Sequence, residues 1–162
     1  MKTLSLLVAT LLPCALVVDP DRSAGAPDVR AVARSITEAF NAHDVEKLGT
    51  LVHADYVDHG AAEDKASYLE LARRTFEAFP DIQVAIADTV AEGEKIALRF
   101  TFTGTHSAKF LGVEATGRKI TWDGLAIMRF QDGLMIERWN MADALRLFDQ
   151  LGLVPQPAPA ER

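Results

Sequence analysis

The sequence contains a single cysteine, Cys14, among its 162 residues. Cys14 lies in the apolar N-terminal stretch, so the rest of the chain has no thiol for a disulfide or a covalent intermediate. The G-x-S-x-G motif, which presents a nucleophilic serine on a sharp turn, is also missing. We therefore predict that this chain does not use nucleophilic catalysis.

Signals for a metal, a phosphate or a nucleic acid are equally scarce. The four histidines are scattered, and His53 and His59 lack the spacing of a ligand pair on one helix face, so we predict no metal site. No glycine-rich phosphate loop is present, so we predict no cofactor. A net charge of −6 and a pI near 5.2, without runs of lysine and arginine, predict no nucleic-acid partner.

The N-terminal stretch MKTLSLLVATLLPCALVV is typical of a secretory signal peptide, because Lys2 precedes a short apolar run. That run, Leu4 to Val18, is shorter than the roughly 20 residues of a membrane-spanning helix. We interpret residues 1–25 as a signal peptide and expect export to the periplasm or beyond. Acylation of Cys14 would add a membrane anchor, although Pro13 disfavours it. A mis-called start codon would instead leave the protein cytoplasmic.

The first half of the remaining chain has the period of helices. Apolar residues recur at steps of three and four in three segments, the first beginning near Pro27. Asp44 can cap the short second helix, and the third helix is predicted from about Asp64 to Phe79. A short strand around Ala54–Gly60 is predicted between the second and third helices.

The second half has the period of strands. Ile82–Val90 and Lys95–His106 alternate, and Thr121–Asn140 is predicted to form a hairpin around a turn at Gln131-Asp132-Gly133. Helices followed by antiparallel strands indicate an α+β fold. We expect one domain over residues 27–155 and a flexible tail over residues 156–162.

The order of several segments resembles the SnoaL-like polyketide (ester) cyclases of the NTF2-like superfamily. These segments are NAHDVEKLGTLVHADYVDH, then GTH and GVEATGRKI, then IMRFQDGLMIERWNMAD and LRLFDQLGLVP. The resemblance covers roughly Val29 to Pro155. It implies a cone-shaped α+β barrel in which helices pack on a curved, mainly antiparallel sheet. It also implies an internal pocket and a homodimer.

Two histidines are candidates for acid/base catalysis. His59 stands in a VDH segment that resembles the place of an acid/base residue in the superfamily, and an imidazole titrates near neutral pH. His106 ends the strand that carries Phe100 and Phe102, so it lines the pocket if that face is concave. The alternative for each is a histidine that only hydrogen-bonds at a strand end or loop.

Two carboxylates could complete the set. The resemblance implies an acid/base carboxylate after the last strand, which Asp143 could supply, and Asp58 is a second carboxylate near His59. The simpler interpretation of Asp143 is structural, with Asn140 as the N-cap of the last helix and Asp143 in its first turn. The resemblance also implies that many relatives carry aspartate where this chain has Asn140, and an amide cannot transfer protons as a carboxylate does.

Aromatic residues are the candidate lining of the pocket: Trp122, Trp139, Phe100, Phe102 and Tyr56. Alternation alone does not place both tryptophans on one face, because a β-bulge would invert one of them. Trp139 could equally lie at a dimer interface, and Glu137 is interpreted as a surface or interface charge.

Two functions of different classes follow. The first is a cyclase or isomerase that uses cofactor-free acid/base catalysis on a small, hydrophobic, polyketide-like carbonyl compound. The second is an exported, non-catalytic module that binds a small molecule or dimerises. A hydrolase or dehydratase of the same fold is a third possibility, since this fold hosts many reactions.

Overall fold

The structure is a computed structural model that describes residues 28–154. The predicted signal peptide, its cysteine and the predicted tail lie outside these residues. The elements, in chain order, are α1 (Val29–Asn41), α2 (Val45–Thr50), β1 (Val52–Asp58), α3 (Lys65–Ala78), β2 (Gln83–Glu92), β3 (Lys95–Thr105), β4 (Lys119–Gln131), β5 (Leu134–Ala142) and α4 (Ala144–Leu151). No helix within residues 28–154 is long and apolar enough to cross a membrane.

An aspartate caps the N-terminus of every one of these helices. The side chains of Asp28, Asp44, Asp64 and Asp143 each accept a hydrogen bond from a backbone N–H of the first helical turn. The prediction that Asn140 caps the last helix is wrong, because β5 continues to Ala142 and the helix begins only after Asp143.

The five strands form one sheet in the order β1-β5-β4-β3-β2. β1 pairs with β5 in parallel, and the other three pairings are antiparallel. The predicted α+β class with a mainly antiparallel sheet is therefore confirmed, although these five strands do not close into a barrel.

The β4–β5 hairpin turns at Asp132-Gly133, where both residues have positive φ, 52° and 77°. This is the geometry that two-residue hairpins favour. A register shift follows at once: Phe130 pairs with Met135, but Arg129 pairs with Glu137. The extra residue is a β-bulge, and beyond it the side chains of β5 exchange faces.

The inner face of the sheet packs against the helices. Its core combines Ala33 and Ile36 of α1 and Ala72 of α3 with strand residues such as Leu98 and Phe130. A second cluster around Phe79, Ile82, Ile120 and Leu147 joins the end of α3 to α4. The candidate site lies in the space between these two clusters.

Candidate functional site

A cavity of about 360 Å³ lies between the inner face of the sheet and α1, α3 and α4. Its walls are mainly aromatic and aliphatic, and the aromatic residues are Phe40, Tyr68, Phe100, Phe102, Phe110, Trp122 and Phe148. The Phe102 ring contacts two others: its centroid lies 5.4 Å from that of Phe40 and 5.1 Å from that of Trp122. Three of the predicted lining residues, Phe100, Phe102 and Trp122, therefore lie in this wall.

The polar part of the wall is small. It consists of Arg138 and Asn140 from β5, Tyr68 and Thr75 from α3, and Thr37 from α1. Within residues 28–154, no carboxylate and no imidazole lines the cavity. Its titratable side chains are thus a guanidinium and a phenol.

Asp58, which does not line the cavity, binds the guanidinium of Arg138. The Arg138 Nε donates to Asp58 Oδ2 at 2.8 Å, and Nη2 lies 2.6 Å from the same oxygen. The Tyr56 hydroxyl also donates to Oδ2, at 2.6 Å, and the Gly60 N–H donates to Oδ1 at 2.7 Å. The Asp58 side chain is fully buried and does not reach the cavity. The guanidinium also lies over the ring of Tyr68, 4.7 Å from its centroid.

Burial and charge set the protonation states of this cluster. Burial raises the pKa of Tyr68 and of Tyr56, and the nearby Arg138 cation opposes the rise. Burial alone would lower the pKa of Arg138, but its interactions with Tyr68, Tyr56 and Asp58 outweigh burial and raise that pKa. The two phenols are therefore neutral and the guanidinium is charged at any ordinary pH.

His59 lies on the other side of the sheet. Its Nε2 is 2.9 Å from Glu137 Oε1, and its ring stacks on Trp139 with centroids 4.8 Å apart. Arg129 Nε donates to the other oxygen of Glu137 at 2.7 Å. The hydrogen bonds from His59 and Arg129 lower the pKa of Glu137. His59 is thus part of an outer-surface charge cluster, not of the cavity wall.

His106 is fully buried in the second cluster, next to Phe79, and does not line the cavity. Its Nδ1 accepts from the Thr116 N–H at 3.3 Å and lies 3.1 Å from the Thr116 hydroxyl. Its Nε2 has no hydrogen-bond partner among the described residues. Burial lowers the pKa of His106 and so favours the neutral ring.

Asp143 lies outside the cavity as well. It is exposed and accepts from the Arg146 N–H at 3.0 Å as the cap of α4, while its neighbours Ala142 and Ala144 line the cavity. The four candidate residues His59, His106, Asp143 and Asp58 therefore do not converge on one space. Only Asp58 touches a side chain of the cavity wall, that of Arg138.

Trp139 and Tyr56 also differ from their expected positions. Trp139 lies on the outer face, in a shallow groove of about 380 Å³ with Leu125, Ile127 and Met141. The β-bulge causes this, because it inverts β5 relative to the simple alternation. Tyr56 does not line the cavity: its ring packs against Tyr68, and its hydroxyl donates to Asp58.

The same bulge brings Arg138 and Asn140 into the cavity, and the sequence analysis missed both as wall residues. The alternation of the hairpin puts Arg138 next to two candidate residues, Glu137 and Trp139, but on the opposite face. A buried tyrosine on α3, Tyr68, was also missed, although it stands one turn before the predicted helix residue Ala72.

A family of known proteins and individual members of it are similar to this chain in sequence. The profile of the family described as SnoaL-like polyketide cyclase matches residues 30–151. Aklanonic acid methyl ester cyclase DnrD of Streptomyces peucetius is 24% identical over 140 residues, which cover 79% of this chain and 92% of that protein.

Two solved structures are similar in sequence and shape. AclR of Streptomyces galilaeus has 30% identity and a TM-score of 0.73, and the match covers 78% of this chain and 97% of that one. IdmH of Streptomyces antibioticus has 32% identity and a TM-score of 0.69, with 77% and 99% covered.

Proposed function

Because this chain belongs to the SnoaL-like polyketide cyclase family, we propose that it closes or isomerises a ring in a small, hydrophobic, polyketide-like carbonyl compound. The compound binds in the inner cavity, and the reaction is proton transfer that consumes no cofactor. The observation that carries this proposal is a charged guanidinium, Arg138, in the wall of a mainly aromatic and aliphatic cavity.

The aromatic walls support binding of a planar compound. Burying aromatic and aliphatic surface contributes about 25 cal/mol per Å² of apolar area, and rings add stacking preferences to that contribution. Phe102 and Trp122 are cross-strand partners whose tilted rings pack together, and Phe40 packs on Phe102 from α1.

Arg138 and Asn140 support stabilisation of an enolate. The guanidinium uses Nε and Nη2 for Asp58, which leaves the N–H donors of Nη1 for an oxygen in the cavity. Asn140 adds an amide two residues along the same face of β5. Donors fixed around a developing negative oxygen are commonly the largest contribution to such catalysis.

Tyr68 is the proposed proton-transfer group. Its hydroxyl has no hydrogen-bond partner within residues 28–154, and burial keeps it protonated. The proton next to one carbonyl passes to a water molecule, and Arg138 stabilises the resulting enolate oxygen. The enolate carbon attacks a second carbonyl, and Tyr68 gives its proton to the alkoxide oxygen that forms there. The hydronium ion returns a proton to Tyr68, so one carbon–hydrogen bond breaks, one carbon–carbon bond forms and no cofactor is consumed.

Deuterium exchange tests the chemistry without the natural substrate. 2-Tetralone in D₂O, followed by proton NMR, should exchange the hydrogens next to its carbonyl faster with the protein than without it. Removing one oxyanion donor commonly costs about 10²- to 10³-fold, so Arg138→Gln should lose most of the acceleration. Glu70→Gln, an exposed α3 residue paired with Arg74, is the control and should keep it.

Two results would contradict this function. Unchanged exchange in Arg138→Gln would exclude the guanidinium as the oxyanion donor. Binding of 2-tetralone without any acceleration by the wild type would favour the non-catalytic binding module instead. Aklanonic acid methyl ester, the compound named for the Streptomyces peucetius relative, is the second compound to assay for ring closure.

We further propose that the protein is a homodimer joined through the outer face of the sheet. Val90, Leu125, Ile127 and Met141 expose large apolar side chains there, around Trp139. An apolar patch of this kind on a sheet face commonly marks an interface. Paired charges such as Arg99 with Asp88 stand beside it.

A further inference from the structure

We propose that Asp58 and Tyr56 act as positioning residues for Arg138: they fix its guanidinium so that the free donors face the cavity. This inference rests on the proposed function, since it assumes that Arg138 holds the substrate oxygen. It assigns Asp58 a role behind the reacting groups and not that of a base in contact with the substrate.

Both oxygens of Asp58 are engaged by the protein itself. Oδ2 receives the Tyr56 hydroxyl and two nitrogens of Arg138, and Oδ1 receives the Gly60 N–H. Because the side chain has no exposed surface and does not line the cavity, neither oxygen can contact a ligand there. Its remaining effect on a bound compound is exerted through Arg138.

Arg138 needs such a partner in order to stay in place. Its side chain is 13% exposed, and an unpaired guanidinium in a buried apolar site carries a large desolvation penalty. Asp58 holds it through Nε and Nη2, one edge of the planar group, and the Tyr68 ring supports its face at 4.7 Å. The N–H donors left are the two of Nη1 and the second one of Nη2.

Tyr56 fixes the carboxylate in turn. Its hydroxyl bond at 2.6 Å is short and charge-assisted, and its ring packs on Tyr68 with centroids 5.5 Å apart. Gly60 closes the other side: an added Cβ would lie 2.9 Å from Asp58 Oδ1 and 3.2 Å from the Asn140 Cβ. The carboxylate is thus clamped between a phenol and a backbone N–H.

A dye that ionises inside the cavity can show whether Asp58 positions Arg138 or only changes the net charge of the site. Alizarin is a planar hydroxyanthraquinone whose absorption spectrum changes when a phenol loses its proton. Binding to the full 162-residue chain can be followed by quenching of tryptophan fluorescence, and the pKa of the bound dye by its colour. In the wild type, Arg138 should lower the pKa of bound alizarin below that of the free dye.

The two hypotheses then predict opposite effects of Asp58→Asn on the affinity for the alizarin anion. Asp58→Asn removes a negative charge, so a guanidinium that stayed in place would bind the alizarin anion more tightly. If Asp58 positions Arg138, the affinity for the anion instead falls about tenfold or more, as expected for the loss of a hydrogen bond to a charged group. Tyr56→Phe leaves the charges unchanged and should lower the affinity in the same direction by a smaller factor.

Each outcome is decisive. If Arg138→Gln abolishes the shift in the pKa of alizarin while Tyr56→Phe and Asp58→Asn keep or enlarge it, the positioning role is overturned and the proposed function stands. If the wild type does not bind alizarin, or Arg138→Gln leaves the shift unchanged, the proposed function fails and this inference fails with it. Should Asp58→Asn not fold, Tyr56→Phe decides alone, with circular dichroism confirming its fold and Glu70→Gln as the control.

Discussion

Gly124 illustrates how a single residue shapes the cavity. It pairs with Phe100 across β3 and β4, and a Cβ at this position would overlap the Phe100 ring. Gly124→Ala must therefore push that ring into the cavity. We expect a loss of about 1–3 kcal/mol in the free energy of unfolding, typical of overpacking, together with weaker binding of alizarin. Thermal unfolding and fluorescence quenching measure the two effects.

A second glycine provides the matched control. An added Cβ at Gly49, in α2, meets only the Leu69 Cδ1 at 3.4 Å, an ordinary contact. Gly49→Ala should stabilise the protein by roughly 0.5–1 kcal/mol through helix propensity. The double variant Gly124→Ala/Phe100→Leu should recover part of the lost binding. Equal effects of the two alanine substitutions would contradict the predicted clash at Gly124.

His106 makes stability depend on pH. Burial lowers its pKa in the folded protein, whereas in the unfolded chain the ring titrates near its usual value of about 6.5. Between these two values the unfolded state binds more protons, so the free energy of unfolding falls as the pH falls below about 6.5. The contribution of the neutral ring is fully present above that pH.

The variant His106→Asn removes this titration while its amide can still accept from the Thr116 N–H. Urea unfolding at several pH values between 7.5 and 5 should show a shallower decline in the variant than in the wild type. A constant offset from the smaller side chain is expected and does not affect the comparison. Parallel curves would show that His106 titrates alike in both states.

At the scale of elements, Gln150 of α4 hydrogen-bonds the backbone of β4 as a neighbouring strand would. Gln150 Oε1 accepts from the Thr121 N–H at 3.0 Å, and its Nε2 donates to the Thr121 carbonyl at 2.8 Å. β5 pairs with β4 only from Gly124 onward, so Gln150 satisfies backbone groups that the sheet leaves open. α4 forms one wall of the cavity through Leu147 and Phe148.

Gln150→Ala should therefore loosen α4 and lower the free energy of unfolding by about 1–3 kcal/mol, because partly buried backbone groups lose their partners. Hydrogen exchange of the α4 amides should rise with it. Arg146→Ala is the control: its ion pair with Asp123 is about half exposed, and such pairs contribute little. If both variants lose equal stability, the strand-like role of Gln150 is wrong.

The elements themselves were largely predictable, since each follows from a local signal. The apolar period predicted α2, with Asp44 as its cap, and α3 from about Asp64, and the Asp132-Gly133 pair predicted the hairpin. The end of β5 was not predictable, because Asn140 is as good a cap as Asp143 until strand pairing extends past it.

The cavity wall was only half predictable for a related reason. Phe100, Phe102 and Trp122 follow the alternation of β3 and β4, which pair without a shift. Arg138 and Trp139 follow β5 after its bulge, and one inserted residue reverses every later side chain. A bulge has no sequence signal as strong as that of a turn, so the position of the guanidinium needed the structure.

At the scale of the whole molecule, the two faces of the sheet differ in what they present. The inner face carries the cavity, with Arg138 as its charged group, while the outer face exposes Leu125, Ile127 and Met141 around Trp139. β4 and β5 contribute to both faces by alternation. A homodimer formed through the outer face would leave the cavity of each subunit free, because the outer groove shares only Leu98 and Ala126 with the cavity and contains none of its aromatic wall residues.

Leu125→Glu tests this arrangement, since its side chain is 58% exposed at the centre of the apolar patch. A two-fold interface would place the new carboxylate against the same surface of the second copy. Sedimentation velocity should therefore show a shift from dimer to monomer at micromolar concentration. Leu145→Glu, at an even more exposed apolar position on α4, is the control and should leave the oligomeric state unchanged. A wild type that sediments as a monomer, or a Leu125→Glu variant that remains a dimer, would exclude this face as the interface.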